Sequence, residues 1–577
     1  MRQFVPIRCN RASSWLLPGL LLLPLAGRAQ VAVTRAGLAP AANARAANRS
    51  TSVVIPFSQA IAPATSANIR VFSAQYRGRR GATASVSGST VTLSPTAAAG
   101  SAAFRPGETV QVTVPATVQS TGGAAAAPYV YQFTAAATGG SGVFGGGADL
   151  SVFGQPYGAA VGDVDGDGDL DLLTTSSGSA SVSVRLNDGN GTFSSAPSVA
   201  VTSGAGGGLP RGMAVGDLDG DGDLDLITAN DAYIGSVSVR FNNGNGTFGG
   251  GAELLNYYQP RSVALGDVDG DGDLDLLVTN YGDTTVDVRL NNGNGTFGTG
   301  SYPVVGSKPD NLALGDVDGD GDLDLVVANN PIAGIGTVRV RLNNGSGTFS
   351  GGSDVAVGSQ ASSLALGDVD GDGTLDIVVS NNTMSTVSVR LNNGSGTFGG
   401  GSDLAGFSQP RTVVLGDVDG DGDLDLVVAN GGGGSTLAVR LNNGSGTFTN
   451  GSSLGTLFSF QDLVLGDLDG DGDLDVFATN PNINSVVVRL NGAGTLPTRP
   501  AASSATLNIY PNPGRGKVQV SGLGAGAAVA VADVLGRPVA TATADASGAA
   551  RLHLPPGLAA GVYLVQSAGR SQRLAVE

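Results

Sequence analysis

The stretch GDVDGDGDLDL at residues 162–172 returns, with small changes, six more times. The copies open at Asp163, Asp217, Asp267, Asp316, Asp368, Asp417 and Asp467, spaced by 54, 50, 49, 52, 49 and 50 residues. A near-constant period of this size marks a repeat architecture, in which one unit cannot bury its apolar face alone and its neighbours supply the missing surface. In the unit at 261–306, RSVALGDV reads as a strand, the Asp loop follows, LDLLVTN reads as a second strand, VDVRLNN as a third, GNG as a turn and TFGTGSYPVV as a fourth. Asn-Gly turns between alternating apolar runs signal hairpins, because both central residues accept positive φ. Four antiparallel strands per unit, with no helix-length pattern, make the sheet of a propeller blade, and seven copies predict an all-β, seven-bladed β-propeller. A straight solenoid has shorter units and needs caps at its ends.

The edges of the array support a ring. The last unit runs out at 491–496 (NGAGTL) without its TFGGG strand, whereas 139–150 (GGSGVFGGGADL) matches the missing piece as it stands at 395–404 (SGTFGGGSDL). The N-terminal segment is therefore expected to complete the last blade, which removes two sheet edges that would otherwise invite aggregation.

Carboxylates this crowded repel one another unless something compensates them, which disfavours plain solvated turns. In the first loop Asp163, Asp165, Asp167 and Asp171, at positions 1, 3, 5 and 9, can aim carboxylates at one centre, while Asp169 at position 7 can offer its carbonyl. Hard oxygen donors at this spacing, with glycines for the tight turn, suit Ca2+, whereas Mg2+ resists giving up its waters. The corresponding ligands are Asp217, Asp219, Asp221, Asp223 and Asp225 in the second loop and Asp267, Asp269, Asp271, Asp273 and Asp275 in the third. They are Asp316, Asp318, Asp320, Asp322 and Asp324 in the fourth, and Asp368, Asp370, Asp372, Thr374 and Asp376 in the fifth. The sixth has Asp417, Asp419, Asp421, Asp423 and Asp425, and the seventh Asp467, Asp469, Asp471, Asp473 and Asp475. Thr374 is acceptable at position 7 if only its backbone is used, and up to seven Ca2+ ions are expected. An EF-hand or dockerin loop needs a bidentate Glu at position 12 and flanking helices. Position 12 is Thr174 in the first unit and Val379 in the fifth, within strand patterns, so that reading is rejected. Six loops with five Asp and one with four hold 34 of the 48 acidic residues, so the formal charge of −17 is mainly metal chemistry. Nucleic acid is a poor partner for such a chain.

The Asp loops followed by strands, seven times over, with FGGG segments between, resemble the FG-GAP or VCBS repeats of integrin-α-type β-propellers across residues 139–497. The resemblance implies that each calcium loop joins the first and second strands of a blade, on the face opposite the usual ligand surface, and so assigns the loops to stability. A ligand is then expected where the units differ, in the links at 230–235, 280–285, 329–336, 380–385 and 431–434 and between blades. Tyr and Arg are common binding anchors. Tyr157, Arg211, Tyr233, Tyr257, Tyr258, Arg261, Tyr281 and Arg411 are accordingly the candidate contacts for an extracellular glycan or protein. The arginine of each VRLNN or VRFNN (Arg185, Arg240, Arg289, Arg341, Arg390, Arg440 and Arg489) recurs in every unit and is expected to pair inside its blade.

Few residues offer catalysis. The sole histidine, His553, lies in the C-terminal tail, and the repeat region has one glutamate, Glu253, and one lysine, Lys308. A Ser-His-Asp triad and a histidine-based metal centre are thereby excluded from the ring. A paired-carboxylate glycosidase would need aspartates outside the loops, such as Asp231 or Asp283, and nothing in the sequence brings them together. The chain is read as a non-enzyme, with a polysaccharide lyase or hydrolase and a purely structural surface protein as the alternatives.

Flanking segments set the location. Arg2, Arg8 and Arg11 precede the apolar run 15–26 (WLLPGLLLLPLA) and the small-residue site GRA before Gln30. This is the pattern of a secretory signal over 1–29, too short to span a bilayer. The only cysteine, Cys9, falls within it, so the mature chain would have neither disulfides nor thiols. Residues 30–137 alternate as an Ig-like β-sandwich, and PFSQAI, FRPGETVQVTVP and YVYQFTA resemble the bacterial Ig-like domain of surface-layer proteins. This domain reads as a spacer, with YRGRR at 76–80 as a solvated hairpin tip. The propeller is assigned to 138–497, and TRPAASSA at 498–505 is a linker. The tail at 506–577 reads as a small β-sandwich resembling the C-terminal sorting domain of type IX secretion, on Tyr510-Pro511-Asn512-Pro513, Gly516, Asp533, Gly536-Arg537 and Gly561-Val562-Tyr563. That resemblance implies passage through the type IX machinery to the outer surface or the medium. The sequence thus describes a secreted or surface-attached monomer without a transmembrane helix, binding Ca2+ and a glycan or protein ligand.

Overall fold

The structure, a computed structural model, describes residues 30–492 except 74, 77, 97–102, 202–207, 332–333, 433–435 and 456–458. It also describes 508–576 except 516, 522–526, 533–537, 546–548, 556–557, 559–560 and 568–569. The signal, the linker at 498–505, and Gly516, Asp533, Gly536 and Arg537 lie outside the described residues. Two compact units make up the chain, Met1–Gly494 and Thr495–Glu577.

Each repeat becomes an antiparallel sheet. In the fifth, Ala361–Gly367 pairs with Asp376–Asn381, which pairs with Thr386–Asn392 and then with the short strands Phe398–Gly399 and Asp403–Leu404. All six residues of Asp376–Asn381 are buried. Successive side chains of a strand point to opposite faces, and here both faces are covered. Val378 packs with Val413, Leu426 and Val428 of the next sheet, while Ile377 and Val379 pack with Val326, Ala328 and Val338 of the preceding one. The second strands therefore read as continuous apolar runs. Fully burying such a side chain is worth roughly 1.5–3 kcal/mol, so packing between sheets is a main source of stability.

The seven first strands, Pro156–Gly162, Leu209–Gly216, Pro260–Gly266, Pro309–Gly315, Ala361–Gly367, Pro410–Gly416 and Leu463–Gly466, pack one against the next, and the last returns to the first. Closure is made as the sequence predicts: Leu490 pairs with Gly145, Asn491 with Phe144 and Val486 with Leu150. One expectation needs correction. The fourth strand is mostly two short pieces, because the FGGG segment bulges between them. Gly401 adopts φ 71°, and a Cβ there would lie 2.2 Å from Val389 O, so only glycine lets the chain pass. In the third repeat this strand shrinks to the single bridges Asn291↔Phe297 and Thr285↔Val304.

Residues 30–137 form two sheets, one of Val53–Pro56, Thr90–Pro95 and Ala82–Ser87, the other of Gly78–Arg79, Arg70–Ser73, Thr109–Val114 and Tyr129–Thr134. They close over a core that includes Ile55, Val91, Phe104, Val112 and Phe133. This sandwich is not a spacer, because it covers the Asp-loop face of the ring. Asp163 N–H donates to Gln75 O (3.1 Å) and Val130 N–H to Gly321 O (2.6 Å). Arg35 Nη1 donates to Gly319 O (2.9 Å), Asn43 Nδ2 to Gly373 O (3.3 Å), and Arg105 to Gly168 O. Arg45 Nη2 meets Asp423 Oδ1 at 2.7 Å. The 76–80 segment is likewise no solvated tip. Tyr76 is 7% exposed and bridges to Asp163, and Arg80 is 6% exposed in a bidentate pair with Glu108 (3.1 and 2.9 Å). An excess of carboxylates on one face and a set of arginines on the other explain why the two surfaces meet.

The C-terminal unit is one seven-stranded sheet, linked through Gly514↔Val576, whose end strands Pro538–Thr543 and Ala549–His553 lie side by side. It wraps round a core of Val518, Val520, Leu552, Val529, Val565 and Leu574.

Candidate functional site

The Asp loops shape themselves by backbone hydrogen bonds. In the third, Asp267 accepts from Gly270 N (2.7 Å) and Gly272 N (2.9 Å), Asp269 from Asp271 N (3.2 Å), Asp271 from Asp273 N (3.0 Å) and Asp275 Oδ2 from Val268 N (2.9 Å). Carboxylates then converge. One oxygen from each of Asp163, Asp165 and Asp171 lies within 4.8 Å of the others, as for Asp217, Asp219 and Asp225, for Asp368, Asp370 and Asp376, and for Asp267, Asp269 and Asp271. Asp316, Asp318 and Asp320 form a further group, and two more exist among the described residues. The geometry thus gathers positions 1 and 3 with 5 or 9. Position 7 turns its side chain elsewhere. A Cβ on Gly189, Gly244, Gly293, Gly345 or Gly444 of the Asn-Gly hairpins would lie 2.3 to 2.7 Å from an oxygen of Asp169, Asp223, Asp273, Asp322 or Asp423. Loops and hairpins therefore share one face, and position 7 packs over a hairpin glycine.

Position 9 is fully buried in all seven loops. Burial pushes Asp275 up to about 9, Asp171, Asp324 and Asp475 to about 8, and Asp225, Asp376 and Asp425 to about 7, against the backbone hydrogen bonds that lower them. Clustered, buried, all-oxygen donors fit a hard cation and no soft one.

A second feature escaped the sequence reading, which placed the first Asn of VRLNN only at the end of the third strand. Asn187 Nδ2 donates to Leu170 O of its own loop (3.0 Å) and to Leu468 O of the preceding blade's loop (2.8 Å), while its N–H donates to Asp171 Oδ1 (2.9 Å). Asn242, Asn291, Asn343, Asn392, Asn442 and Asn491 repeat the arrangement, each 4 to 5% exposed. Seven buried amides thus join each loop to the one before. The neighbouring arginines behave as expected, for example Arg240 with Glu253, Arg390 with Asp403 (2.9 Å) and Arg489 with Asp149 (2.7 Å).

On the opposite face the channel opens into a cavity of about 510 Å3 lined by Tyr157, Arg211, Arg261, Tyr281 and Arg411, five of the eight candidate contacts. A β-bulge brings them there. Ladder register slips between Pro156 and Ala159, Pro210 and Met213, Pro260 and Val263, and Pro410 and Thr412, so Tyr157, Arg211, Arg261 and Arg411 leave the ladder. Bulges re-aim side chains in this way. Gln259, Lys308, Gln360 and Gln409, just before the inner strands, have φ between 49° and 60°, a left-handed conformation that costs a non-glycine residue of order 1–3 kcal/mol. Arg211 Nε meets Asp231 at 2.7 Å and Tyr157 Oη accepts from Arg211 Nη1 (2.8 Å). Arg261 meets Asp310 at 2.8 Å and lies 3.2 Å above the Tyr281 ring, with Lys308 Nζ 4.6 Å from that ring. Burial lowers the Arg261 pKa, but Asp310, Tyr281 and Asp231 outweigh it and hold the guanidinium above its ordinary value. Burial pushes Asp462, also in the lining, up to about 6.

Three candidates lie outside this lining. Tyr233 and Tyr258 are exposed on the same face and form an edge-to-face pair with centroids 6.3 Å apart. Tyr257 is corrected. It is 1% exposed in the core with Val237 and Leu276, because Asn256 at φ 74° breaks the strand's alternation and turns it inward.

Comparison with known proteins agrees with this architecture. The FG-GAP-like repeat model matches 163–228, 217–278, 267–327, 316–379, 368–428 and 417–478, six windows that each run from one Asp loop through the next. A bacterial Ig-like domain matches 29–135 and a secretion system C-terminal sorting domain matches 508–576. The sorting domain marks type IX secretion to the cell surface or the extracellular space. No curated protein matches the chain. Among solved structures, selenomethionine-substituted virginiamycin B lyase from Staphylococcus aureus is 12% identical over 59% of this chain and 98% of its own, with a TM-score of 0.40, too distant to transfer any property. With repeat matches running from 163 to 478, more than half of its length, this secreted or surface all-β chain belongs to the FG-GAP-like repeat family.

Proposed function

We propose that the protein is a calcium-stabilised β-propeller that binds a glycan or protein ligand outside the cell, without enzymatic activity of its own. The observation that carries this reading is the asymmetry of the ring. The Ig-like sandwich covers the Asp-loop face, leaving the opposite face, with its strained links and its bulge-aimed Arg and Tyr side chains, open. Calcium then belongs to stability, with the loop carboxylates as ligands and the Asn amides transmitting their order between blades. Removal of 1–29 would leave a mature chain of an Ig-like lid at 30–137, a propeller at 138–497, a linker at 498–505 and a sorting tail at 506–577. Glycan and protein arrays probed with the full chain in Ca2+ test the reading. Binding lost on Arg261→Ala with the fold retained supports it. Release of reducing ends or unsaturated products from a polysaccharide panel favours an exoenzyme, and silence on all arrays leaves a structural surface protein.

A further inference from the structure

The geometry points to an acidic oligosaccharide as the ligand of the open mouth, with Arg411 gripping its carboxylate or sulfate group; this rests on the open face being the ligand face. The two other mouth arginines are already neutralised. Arg211 and Arg261 both face Asp231, at 2.7 and 3.8 Å, and Arg261 also holds Asp310. Arg411 lies across the mouth and has no carboxylate within salt-bridge distance among the described residues. Its Nη1 donates to the neutral Gln461 Oε1, and its buried Nε has no hydrogen-bond partner. A guanidinium with one buried, unanswered donor costs free energy until an anion completes the fork. Arg261 Nε likewise has no hydrogen-bond partner, but of the three mouth arginines Arg411 alone has no carboxylate, and in a chain with 48 acidic residues that lack marks a vacancy for a ligand group.

The unit of Arg411 itself keeps that place clear. Where other blades carry Asp231, Tyr281, Asn330 or Asn382, this one has Gly431, and a Cβ there would lie 2.2 Å from Arg411 Nε. The position that carries a polar side chain in those blades thus offers none to the arginine here. The lining also carries the hydrogen-bonding side chains of Gln360, Ser362, Asn382 and Gln461, which match the hydroxyls of a sugar, while its aliphatic members, such as Val263, Leu364 and Val413, are themselves buried. A volume of about 510 Å3 lies within the range of small-ligand sites, roughly 300–1,000 Å3.

The test is calorimetric titration of the full chain, with free Ca2+ held constant, against matched pairs: oligogalacturonate and its carboxyl-reduced form, and a sulfated galactan oligosaccharide and its desulfated form. One acidic member of a pair is expected to bind at least tenfold tighter than its neutral partner, the pair identifying carboxylate or sulfate, and binding should weaken with added salt. Arg411→Ala should weaken binding roughly tenfold to hundredfold, the range for a charge-assisted hydrogen bond, while Arg411→Lys should lose less. Unchanged circular dichroism and melting in both variants would show that the fold survives. Equal binding of acidic and neutral members, or full affinity in a folded Arg411→Ala, overturns the inference. Neutral glycan or protein binding that depends on Arg261 but not on Arg411 also overturns it, yet leaves the ligand face intact. Silence on every array removes both.

Discussion

Asn187→Ala at the seam of the ring probes how the blades are held together. The Asn187 amide joins Leu170 O of the first loop to Leu468 O of the seventh, at 3.0 and 2.8 Å, across 281 residues of chain. Alanine leaves both buried carbonyls without this donor, at about 1–3 kcal/mol each, so the loss should be about 2–6 kcal/mol. The Asn187 N–H bond to Asp171 belongs to the backbone and is retained. Asn190, three residues on, is exposed and bonds only within its turn, so Asn190→Ala should change stability by about 0.5 kcal/mol or less. Urea unfolding in saturating Ca2+, followed by far-UV circular dichroism, measures both; the only tryptophan, Trp15, lies outside the repeat region and reports nothing on the ring. Asn187→Asp should cost more than Ala, since it replaces the donor with a buried, unpaired carboxylate. A loss no larger than that of Asn190→Ala would refute the idea that these amides hold neighbouring blades.

Other expectations concern calcium and the lid. EGTA should markedly lower the melting temperature, because ions that bind only the folded state add to its stability; an unchanged melting curve would contradict the loop assignment. The sign of the pH effect should differ between the two forms. Buried position-9 carboxylates, with pKa values pushed up to about 7 to 9, bind protons more tightly in the ion-free folded state than in the unfolded chain. Stability in EGTA should therefore fall as pH rises from about 4 towards 9, and apparent Ca2+ affinity should rise over the upper part of that range, with measurable proton release in calorimetry. Glu108→Ala leaves Arg80 buried without its bidentate partner and should destabilise the Ig-like sandwich by about 3–5 kcal/mol, read as selective loss of hydrogen-exchange protection there.

Much of the fold was legible because its causes are local and repeated. Period, turn chemistry and strand patterning each recur seven times, so the predicted ring and its completion by 139–150 follow from short-range rules. The pairing of each VRLNN arginine was also readable, since recurrence in every unit argues for a role inside the unit. The Asn amides were visible as invariant letters but not as bonds, because their acceptors lie in the preceding blade. Tyr257 shows the opposite failure: a tyrosine in a link looks like a binding anchor, and only the left-handed Asn256 reveals that it faces the core.

The sequence alone determined the number of units, the spacing of the carboxylates and the hydrophobic runs that demand neighbours on both faces. Tertiary structure decided which surface remains free. Docking of the sandwich on the Asp loops depends on Arg35, Arg45 and Tyr76 meeting loops hundreds of residues or a whole domain away, and no periodicity encodes such a contact. The same holds at the mouth, where bulges in the first strands aim three arginines inward and two aspartates answer Arg211 and Arg261, leaving Arg411 as the one of the three without a partner carboxylate. A charge is answered or unanswered only once the chain has closed into a ring, because its partners come from other blades.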